Sequence, residues 1–283
     1  MTQTTYRVTF ACQDRPGIVY AFSQGVVDLG GNIVKSAQYS DAQTGRFFIR
    51  AEVDVAGTTP EAVQDALSKQ LRDFDVDLTV RDNGTPLRTL LMVSSLDHCL
   101  LDLLYRWRMK ELAIDVVGIA SNHDVTREAA ERYGVPFHHV PITAETKAAA
   151  ESQLLAIVES TDAELVVLAR YMQVLTDDLC RRLQGRVINI HHSFLPAFKG
   201  AKPYHRAHAR GVKLIGATAH YVTGDLDEGP IIQQDVVRVR HDQTVDALVA
   251  AGRDVEGRVL ASAVKAHAEG RVFLNGDRTV VFD

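Results

Sequence analysis

Long apolar stretches are missing from this 283-residue sequence. No stretch approaches the ~18 consecutive apolar residues of a membrane-spanning helix, and the N-terminus lacks the charged and then apolar segments of a secretion signal. Cysteine is also scarce: the three residues are far apart and form neither a disulfide framework nor a CxxC motif. These absences predict a cytoplasmic protein with buried, reduced thiols and no membrane partner.

An excess of basic charge is missing as well. The formal net charge is −5, and both 1–84 and 85–283 carry more acidic than basic side chains. A surface that follows nucleic-acid phosphates needs clustered Lys and Arg side chains. We therefore expect no nucleic-acid partner.

A polar cluster at 81–86, with an Asn-Gly pair and then a proline, divides the sequence into two predicted domains, 1–84 and 85–283. In the first domain, helices are predicted to begin at Pro16 and after Thr59. Alternating apolar residues predict four strands around them, at 6–12, 33–40, 46–55 and 76–80. The order βαββαβ is typical of a ferredoxin-like two-layer module.

The second domain has a different pattern of apolar residues. Continuous apolar runs at 89–93, 116–120 and 165–169 alternate with helical patterns, for example at 126–133 and 144–158. Such alternation predicts an α/β, Rossmann-like domain with a mostly parallel sheet that is covered on both faces. Near the C-terminus, a long helix is predicted over 245–267, followed by a hairpin around Asn275-Gly276-Asp277.

Five of the eleven histidines lie between residues 187 and 230. Asn189 and His191 end a predicted buried strand, and residues two apart on a strand project to the same side. In parallel sheets, ligands collect at the carboxyl ends of strands. A second apolar strand, at 215–222, contains His220.

Three carboxylates, Asp225, Asp227 and Glu228, follow on a loop between two glycines, which lets the backbone place one of them in a cleft. An amide, an imidazole and a carboxylate together suit a hydrolytic reaction. Each residue alone can instead be structural. His205 and His208 lie at a spacing that can bind a metal, but without an HExxH motif or a cysteine cluster we expect no metal and no cofactor.

Four motifs in this stretch resemble the 10-formyltetrahydrofolate-dependent formyltransferase family over about residues 86–283: Asn189-Ile190-His191, Ser193-x-Leu195-Pro196, Gly216-x-Thr218-x-His220 and Asp227-x-Gly229-Pro230. The resemblance implies that Asn189, His191 and Asp227 are catalytic and that His220 is the family's second histidine. It also implies that a further segment cradles the folate pterin ring, largely through backbone groups: Arg170, Tyr171, Met172, Gln173, Val174 and Leu175. Gln173 departs from the arginine that the transferases often carry.

Two segments of the first domain, Asp14–Val19 and Gly31-Asn32-Ile33, resemble an ACT domain. The resemblance implies an amino-acid effector, with glycine or methionine as first candidates, bound by Asp14, Pro16, Gly17 and Asn32. In the alternative reading, the module only pairs edge strands with a second copy. In either case we expect a homo-oligomer, a dimer or a tetramer.

The combination of the two domains implies hydrolysis of 10-formyltetrahydrofolate to formate and tetrahydrofolate, which balances the one-carbon folate pool and supplies formate for purine synthesis. Asn189 and His191 would stabilise the oxyanion, Asp227 would deprotonate water, and His220 would position Asp227 or that water. Residues 93–99 lack the glycines that an acceptor phosphate would need. The alternatives are formyl transfer to an amine and a non-catalytic amino-acid sensor. The resemblance also suggests a cis bond between Leu195 and Pro196.

Overall fold

A computed structural model describes residues 3–196 and 203–283. The chain forms two compact units. The first comprises Met1–Pro86, Glu269–Asn275 and Val280–Asp283, and the second comprises Leu87–Ala268 and Gly276–Thr279. The predicted boundary after Gly84 lies two residues from this division. The two C-terminal segments, which the sequence assigned to the second domain, group with the first unit because Phe273 packs on Phe48 and Asn275 donates a hydrogen bond to Asp41.

The first unit has the predicted βαββαβ order and an antiparallel sheet with strand order β2-β3-β1-β4. Its elements are β1 (Gln3–Gln13), α1 (Ile18–Asp28), β2 (Asn32–Asp41), β3 (Arg46–Ala56), α2 (Pro60–Gln70) and β4 (Asp77–Asp82). Val8 at the centre of β1 pairs with Ala51 of β3 and Val80 of β4, and all three side chains are buried. Together with the apolar faces of both helices they form the core of this unit.

The first helix begins later than predicted. Pro16 lies in a turn rather than at the first helical position, and Gly17 is the N-cap with a φ of 97°. This left-handed conformation favours glycine, because a side chain would clash with the backbone. The helix therefore begins at Ile18, whose buried side chain anchors it to the core.

The second unit is a seven-stranded sheet with the order β11-β10-β9-β8-β5-β6-β7. Its strands are β5 (Leu87–Val93), β6 (Ile114–Ser121), β7 (Phe137–His139), β8 (Leu165–Leu168), β9 (Val187–His191), β10 (Leu214–Tyr221) and β11 (Ile231–Arg238). Strands β5 to β9 pair in parallel, whereas β10 and β11 are antiparallel. The mostly parallel α/β sheet that the apolar runs predicted is confirmed.

Helices cover this sheet on both faces. They are α3 (His98–Arg108), α4 (Arg127–Tyr133), α5 (Lys147–Ser160), α6 (Asp177–Arg182), α7 (Pro203–Arg210) and α8 (Val245–Ala268). Helices α5 and α6 pack on the face that carries Leu90 and Val166. Leu91 and Val167 alternate with them and are fully buried on the other face. Helix α8 packs against β9, β10 and β11.

Three smaller predictions also agree with the structure. The peptide bond between Leu195 and Pro196 is cis. The three cysteines are free and buried. The C-terminal hairpin consists of β12 (Val272–Asn275) and β13 (Arg278–Val281), with Gly276 in the turn. In the part of the chain that is described, no helix meets the length and hydropathy that a bilayer crossing requires.

Candidate active site

Two neighbouring strands bring the predicted polar side chains together. Strand β9 ends at His191, and β10 runs antiparallel beside it so that His220 pairs directly with Asn189. The register of β10 on β11 shifts between Ala219 and His220. Such an irregularity re-aims a side chain, and Asn189 Nδ2 lies 3.3 Å from His220 Nε2.

The loop after β10 brings the fourth side chain, Asp227, to the same point. Its Oδ1 lies 3.1 Å from His191 Nδ1 and 3.8 Å from His220 Nε2. Asp227 has a φ of 58°, which is uncommon for a residue with a side chain. Gly229 holds the loop against β10, because a Cβ at this position would lie 1.7 Å from the carbonyl oxygen of Tyr221.

The other two acids of this loop stay at the surface. Asp225 and Glu228 are exposed, whereas the side chain of Asp227 is only 13% exposed. Thr218 fixes the segment after His191: its hydroxyl donates to the carbonyl oxygen of Ser193 and accepts from the backbone N–H of Leu195. These two hydrogen bonds explain why the motif has a threonine at position 218.

The hydrogen-bond partners determine the tautomer of His220. Its Nδ1 lies 2.9 Å from the carbonyl oxygen of Tyr221, which can only accept, so Nδ1 carries the proton. Burial lowers the pKa of His220 below its ordinary value, so the ring is neutral at pH 7. Nε2 is then an acceptor, and the amide of Asn189 must direct its nitrogen towards it. The second N–H of that amide remains for another acceptor.

Asp227 is ionised at neutral pH. The hydrogen bond from His191 lowers the pKa of this carboxyl below its usual 3.8, against the opposing effect of burial. A carboxylate beside a buried imidazole can act as a general base once a substrate excludes water. The site thus combines an amide donor, an imidazole and a base.

A cavity of about 280 Å³ opens over these residues. Its polar end contains Asn189, His191, His220 and Asp227, and its walls are largely apolar, with Leu168, Met172, Val174, Val222 and Leu226 among them. All six residues of the predicted pterin segment, 170–175, line it. Of these six, Tyr171 and Leu175 have buried side chains that belong to the apolar core.

Sequence reasoning missed a second group of residues beside the site. His192 lines the cavity and stacks on His191, with ring centroids 4.9 Å apart and planes inclined by 14°. Arg170 donates to His192 and lies next to the buried carboxylate of Glu256. A signal for Glu256 is present in the sequence, because this acid lies on the apolar stripe of α8, four residues after Gly252 and four before Leu260.

The four residues predicted to bind an effector are all exposed in the first unit. Asp14 accepts a hydrogen bond from Ser40 near the end of β2, whereas Asn32 is the first residue of the same strand. At about 3.3 Å per residue, the eight residues from Asn32 to Ser40 span about 26 Å. Within one chain, Asn32 and Asp14 therefore lie too far apart to bind one amino acid together.

The sequence model of the formyl transferase family matches residues 87–264. A curated relative, the formyltetrahydrofolate deformylase of Corynebacterium sp. (strain P-1), is 52% identical over 99% of this chain and 98% of its own length. The crystal structure of a formyltetrahydrofolate deformylase from Pseudomonas syringae pv. tomato is 44% identical, with a TM-score of 0.96 over 100% of this chain and 96% of that one.

A transferase is similar over a smaller part of the chain. The crystal structure of glycinamide ribonucleotide transformylase 1 from Symbiobacterium toebii is 30% identical, with a TM-score of 0.67. The match covers 97% of that chain but 71% of this one. The similarity to the deformylases thus extends over nearly the whole chain, whereas the similarity to this transferase does not.

Proposed function

The chain belongs to the formyl transferase family, and within it to the formyltetrahydrofolate deformylases; from this premise we propose how its own residues hydrolyse 10-formyltetrahydrofolate to formate and tetrahydrofolate. The observation that carries the assignment is the match to deformylases along nearly the full length of both chains. It favours hydrolysis over formyl transfer and leaves no role for a purely non-catalytic sensor. The chain is thus a hydrolase.

The formyl oxygen accepts hydrogen bonds from Asn189 and His191. The Asn189 amide already has one N–H on His220, and its second N–H is directed to the charge that develops on this oxygen. Removal of one such donor typically lowers the rate by about 10²–10³-fold. The support is the neutral state of His220, which fixes the orientation of the amide.

Asp227 takes a proton from the attacking water. The water oxygen forms a bond to the formyl carbon, and the proton passes to the carboxylate. The water donates a hydrogen bond to Asp227 Oδ1. The one lone pair of His220 Nε2, 3.8 Å away, already accepts from Asn189, so His220 orients the amide beside the water. Collapse of the tetrahedral intermediate then breaks the carbon–nitrogen bond, and the folate nitrogen takes up a proton from His191 or from a water molecule.

The cavity binds the pterin ring through the main chain of residues 170–175. Met172 and Val174 are about half exposed at its rim, and Leu226 faces the same opening. Exposed apolar side chains around a concave site suit a flat, aromatic ligand. Gln173 offers an amide where many of the transferases carry an arginine, and it can still donate and accept hydrogen bonds.

The reaction needs no metal and no cofactor. The amide and imidazole supply the oxyanion donors and the carboxylate supplies the base, so each step has a residue. In the described ranges, His98, Cys99 and Glu256 are grouped closely enough to bind a metal ion. Both oxygens of Glu256 are already engaged there, by Tyr204 and by His98 with Arg170.

The first unit binds a small amino acid, glycine or methionine, between two copies of the chain. Strand β2 is at the edge of its sheet and exposes Val34 and Tyr39. If two β2 strands pair antiparallel about a twofold axis, Asn32 of one copy approaches the Asp14–Gly17 turn of the other. This arrangement resolves the 26 Å separation within one chain and supports a homo-oligomer, a dimer or a tetramer. Calorimetry with each amino acid at millimolar concentration tests binding, and sedimentation tests assembly.

The cellular role follows from the two products. Hydrolysis returns tetrahydrofolate to the one-carbon pool and releases formate, which can enter purine synthesis in the cytoplasm. The buried free thiols support a reducing compartment. A strain without the gene should need formate or purines when other sources of formate are absent.

One assay tests the assigned reaction. Purified protein is incubated with 10-formyltetrahydrofolate and no amine acceptor. Formate and tetrahydrofolate should appear in equal amounts, and extensive dialysis against EDTA should leave the rate unchanged. An absolute need for an amine would contradict hydrolysis and would favour the transferase reading.

A further inference from the structure

A buried network lies behind the two adjacent histidines. Glu256 on helix α8 has a side chain that is 2% exposed, and it is surrounded by hydrogen-bond donors. The hydroxyl of Tyr204 on α7 lies 2.5 Å from Oε1 of Glu256. On the other side of the carboxylate, His98 Nε2 lies 2.9 Å from Oε2 and Arg170 Nε lies 3.4 Å from the same oxygen. Although burial raises the pKa of Glu256, these donors together bring it below the ordinary value, so the carboxylate is ionised.

The backbone turns Arg170 into this network. Its φ of 66° is left-handed, and Ser94 holds the backbone that follows it. The backbone N–H of Ser94 donates to the carbonyl oxygen of Arg170, and the Ser94 hydroxyl accepts from the N–H of Met172. A residue in a sparsely populated conformation marks a position that the surrounding structure determines. The Arg170 side chain is accordingly 10% exposed.

Arg170 determines the tautomer of His192. Its Nη1 lies 2.5 Å from His192 Nδ1, and a guanidinium can only donate. Nδ1 of His192 therefore accepts, and the proton of the neutral ring is on Nε2. Burial, together with the charges of Arg170 and His191, lowers the pKa of His192 to about 4. The ring is therefore neutral at pH 7.

His192 in turn lies flat against His191, the residue that contacts Asp227. We propose that Arg170, held from behind by Glu256, is a positioning residue for the hydrolysis: its guanidinium fixes the tautomer and ring plane of His192, and His192 holds the ring of His191 by stacking. The proposal rests on the proposed function, since it concerns the geometry of that reaction.

The network is better suited to this role than to a metal site. A divalent ion bound by His98, Cys99 and Glu256 would have to displace Arg170 and Tyr204 from the carboxylate. It would also leave the guanidinium without its counter-charge in a buried place, which is costly. Each oxygen of Glu256 already accepts a hydrogen bond from a protein side chain, Tyr204 or His98, and Arg170 forms an ion pair with the carboxylate.

Kinetics separate positioning from binding and from mere stability. In Arg170→Gln we expect kcat to fall by about 10–100-fold with KM within about threefold, because a small displacement of a reacting group is costly whereas pterin contacts remain. Glu256→Gln should likewise lower kcat and leave KM nearly unchanged. If both act through one chain of contacts, the double variant should be no slower than Arg170→Gln alone. A raised KM with unchanged kcat, or additive losses, overturns the proposal.

The two variants differ in their expected pH dependence. His192 faces Arg170, His191, Glu256, Asp227 and the ring of Tyr204. Without Arg170, burial still lowers the pKa of His192 but one opposing charge is gone, so this pKa rises and the acid limb of kcat moves to higher pH. Without Glu256, which favours protonation of His192, the limb does not move upwards. Glu151→Gln removes another buried carboxylate, on α5 and bound to Thr176, and should leave both kcat and the limb unchanged.

A measurement on the unaltered enzyme tests the proposal without relying on the folding of a variant or on the rate of formate release. Nitrogen-15 NMR of the full chain reports the protonation of each imidazole nitrogen. We expect His192 to carry its proton on Nε2 and to stay neutral from about pH 8 down to about pH 5.5. A proton on Nδ1, or a titration midpoint near 6.5, overturns the proposal even if formate release is as proposed.

Discussion

Nδ1 of His191 lies 3.1 Å from Oδ1 of Asp227, with both side chains largely buried at the carboxyl end of β9. This contact joins the residue proposed to stabilise the oxyanion to the residue proposed to activate the water. The His191 hydrogen bond holds the pKa of Asp227 low. The carboxylate therefore stays ionised but is a weak base. A weaker His191 contact would raise the pKa of Asp227 and make its carboxylate a stronger base.

Replacing Asp227 with Asn should remove the base and keep the shape of the side chain. We expect kcat for formate release to fall by roughly 10²–10⁴-fold, the range for loss of a general base, while the melting temperature changes little. The His191 contact can persist, because the Asn carbonyl oxygen also accepts a hydrogen bond. Steady-state assays and a thermal melt check this expectation, and near-normal turnover would exclude Asp227 as the base.

The pH profile of kcat/KM tests the same residue in the unaltered enzyme. A carboxyl whose pKa is lowered stays ionised above that pKa, so the base is lost only as the pH falls through it. The contribution of Asp227 to the acid limb of the free enzyme should therefore lie below pH 4. An ordinary imidazole midpoint near 6.5 that persists in Asp227→Asn would identify another residue as the base.

Much of this site could be predicted from the sequence because its residues are close along regular elements. A period of two places Asn189 and His191 on one side of β9. Position 227 could not be distinguished from 225 and 228 by pattern alone, since the backbone conformation at Asp227 decides which acid enters the cleft. The link between Arg170, predicted only as part of the pterin segment, and Glu256 escaped prediction for a similar reason: a left-handed residue and a helix 86 positions later meet only in the folded chain.

The amide of Asn189 should be required for turnover but not for binding. In Asn189→Ala we expect kcat to fall by about 10²–10³-fold with little change in KM, because the lost N–H acts mainly on the developing oxyanion. Asn189→Asp should be at least as slow, since it places a negative charge where the oxyanion forms. If Asn189→Asp were the faster of the two, the oxyanion would have to lie elsewhere.

Acid should destabilise the second unit through its buried histidines. The pKa of His192 is lowered to about 4 in the folded chain, mainly by burial, and that of His220 is lowered as well. Between about pH 6.5 and pH 4 the unfolded chain therefore binds a proton at His192 that the folded chain does not, so stability rises with pH in this window. The expected loss from pH 7 to pH 5 at His192 is on the order of 1–2 kcal/mol.

Urea unfolding at the two pH values measures this loss. The variant His192→Gln should show a smaller difference between pH 7 and pH 5 than the unaltered protein. His208→Gln, at an exposed position on α7, serves as the matched control and should keep the full difference. Equal pH differences in all three proteins would mean that His192 is not held neutral by the fold.

Two glycines of α8 should respond in opposite ways to the same substitution. A Cβ at Gly252 would lie 2.2 Å from Cζ of the buried Tyr204 ring, whereas a Cβ at Gly257 meets its nearest atom, Cγ of Asp102, at 3.6 Å. Gly252→Ala should displace the Tyr204 hydroxyl from Glu256 and lower stability by about 1–3 kcal/mol, or roughly 2–12 °C in melting temperature. Gly257→Ala, in ordinary contact, should gain up to about 1 kcal/mol from helix propensity. Both residues are buried on one helix, five positions apart, so the pair separates close packing around Tyr204 from a general effect of substitution in α8. Equal losses of stability in the two variants would show that the Tyr204 ring does not need the space at Gly252.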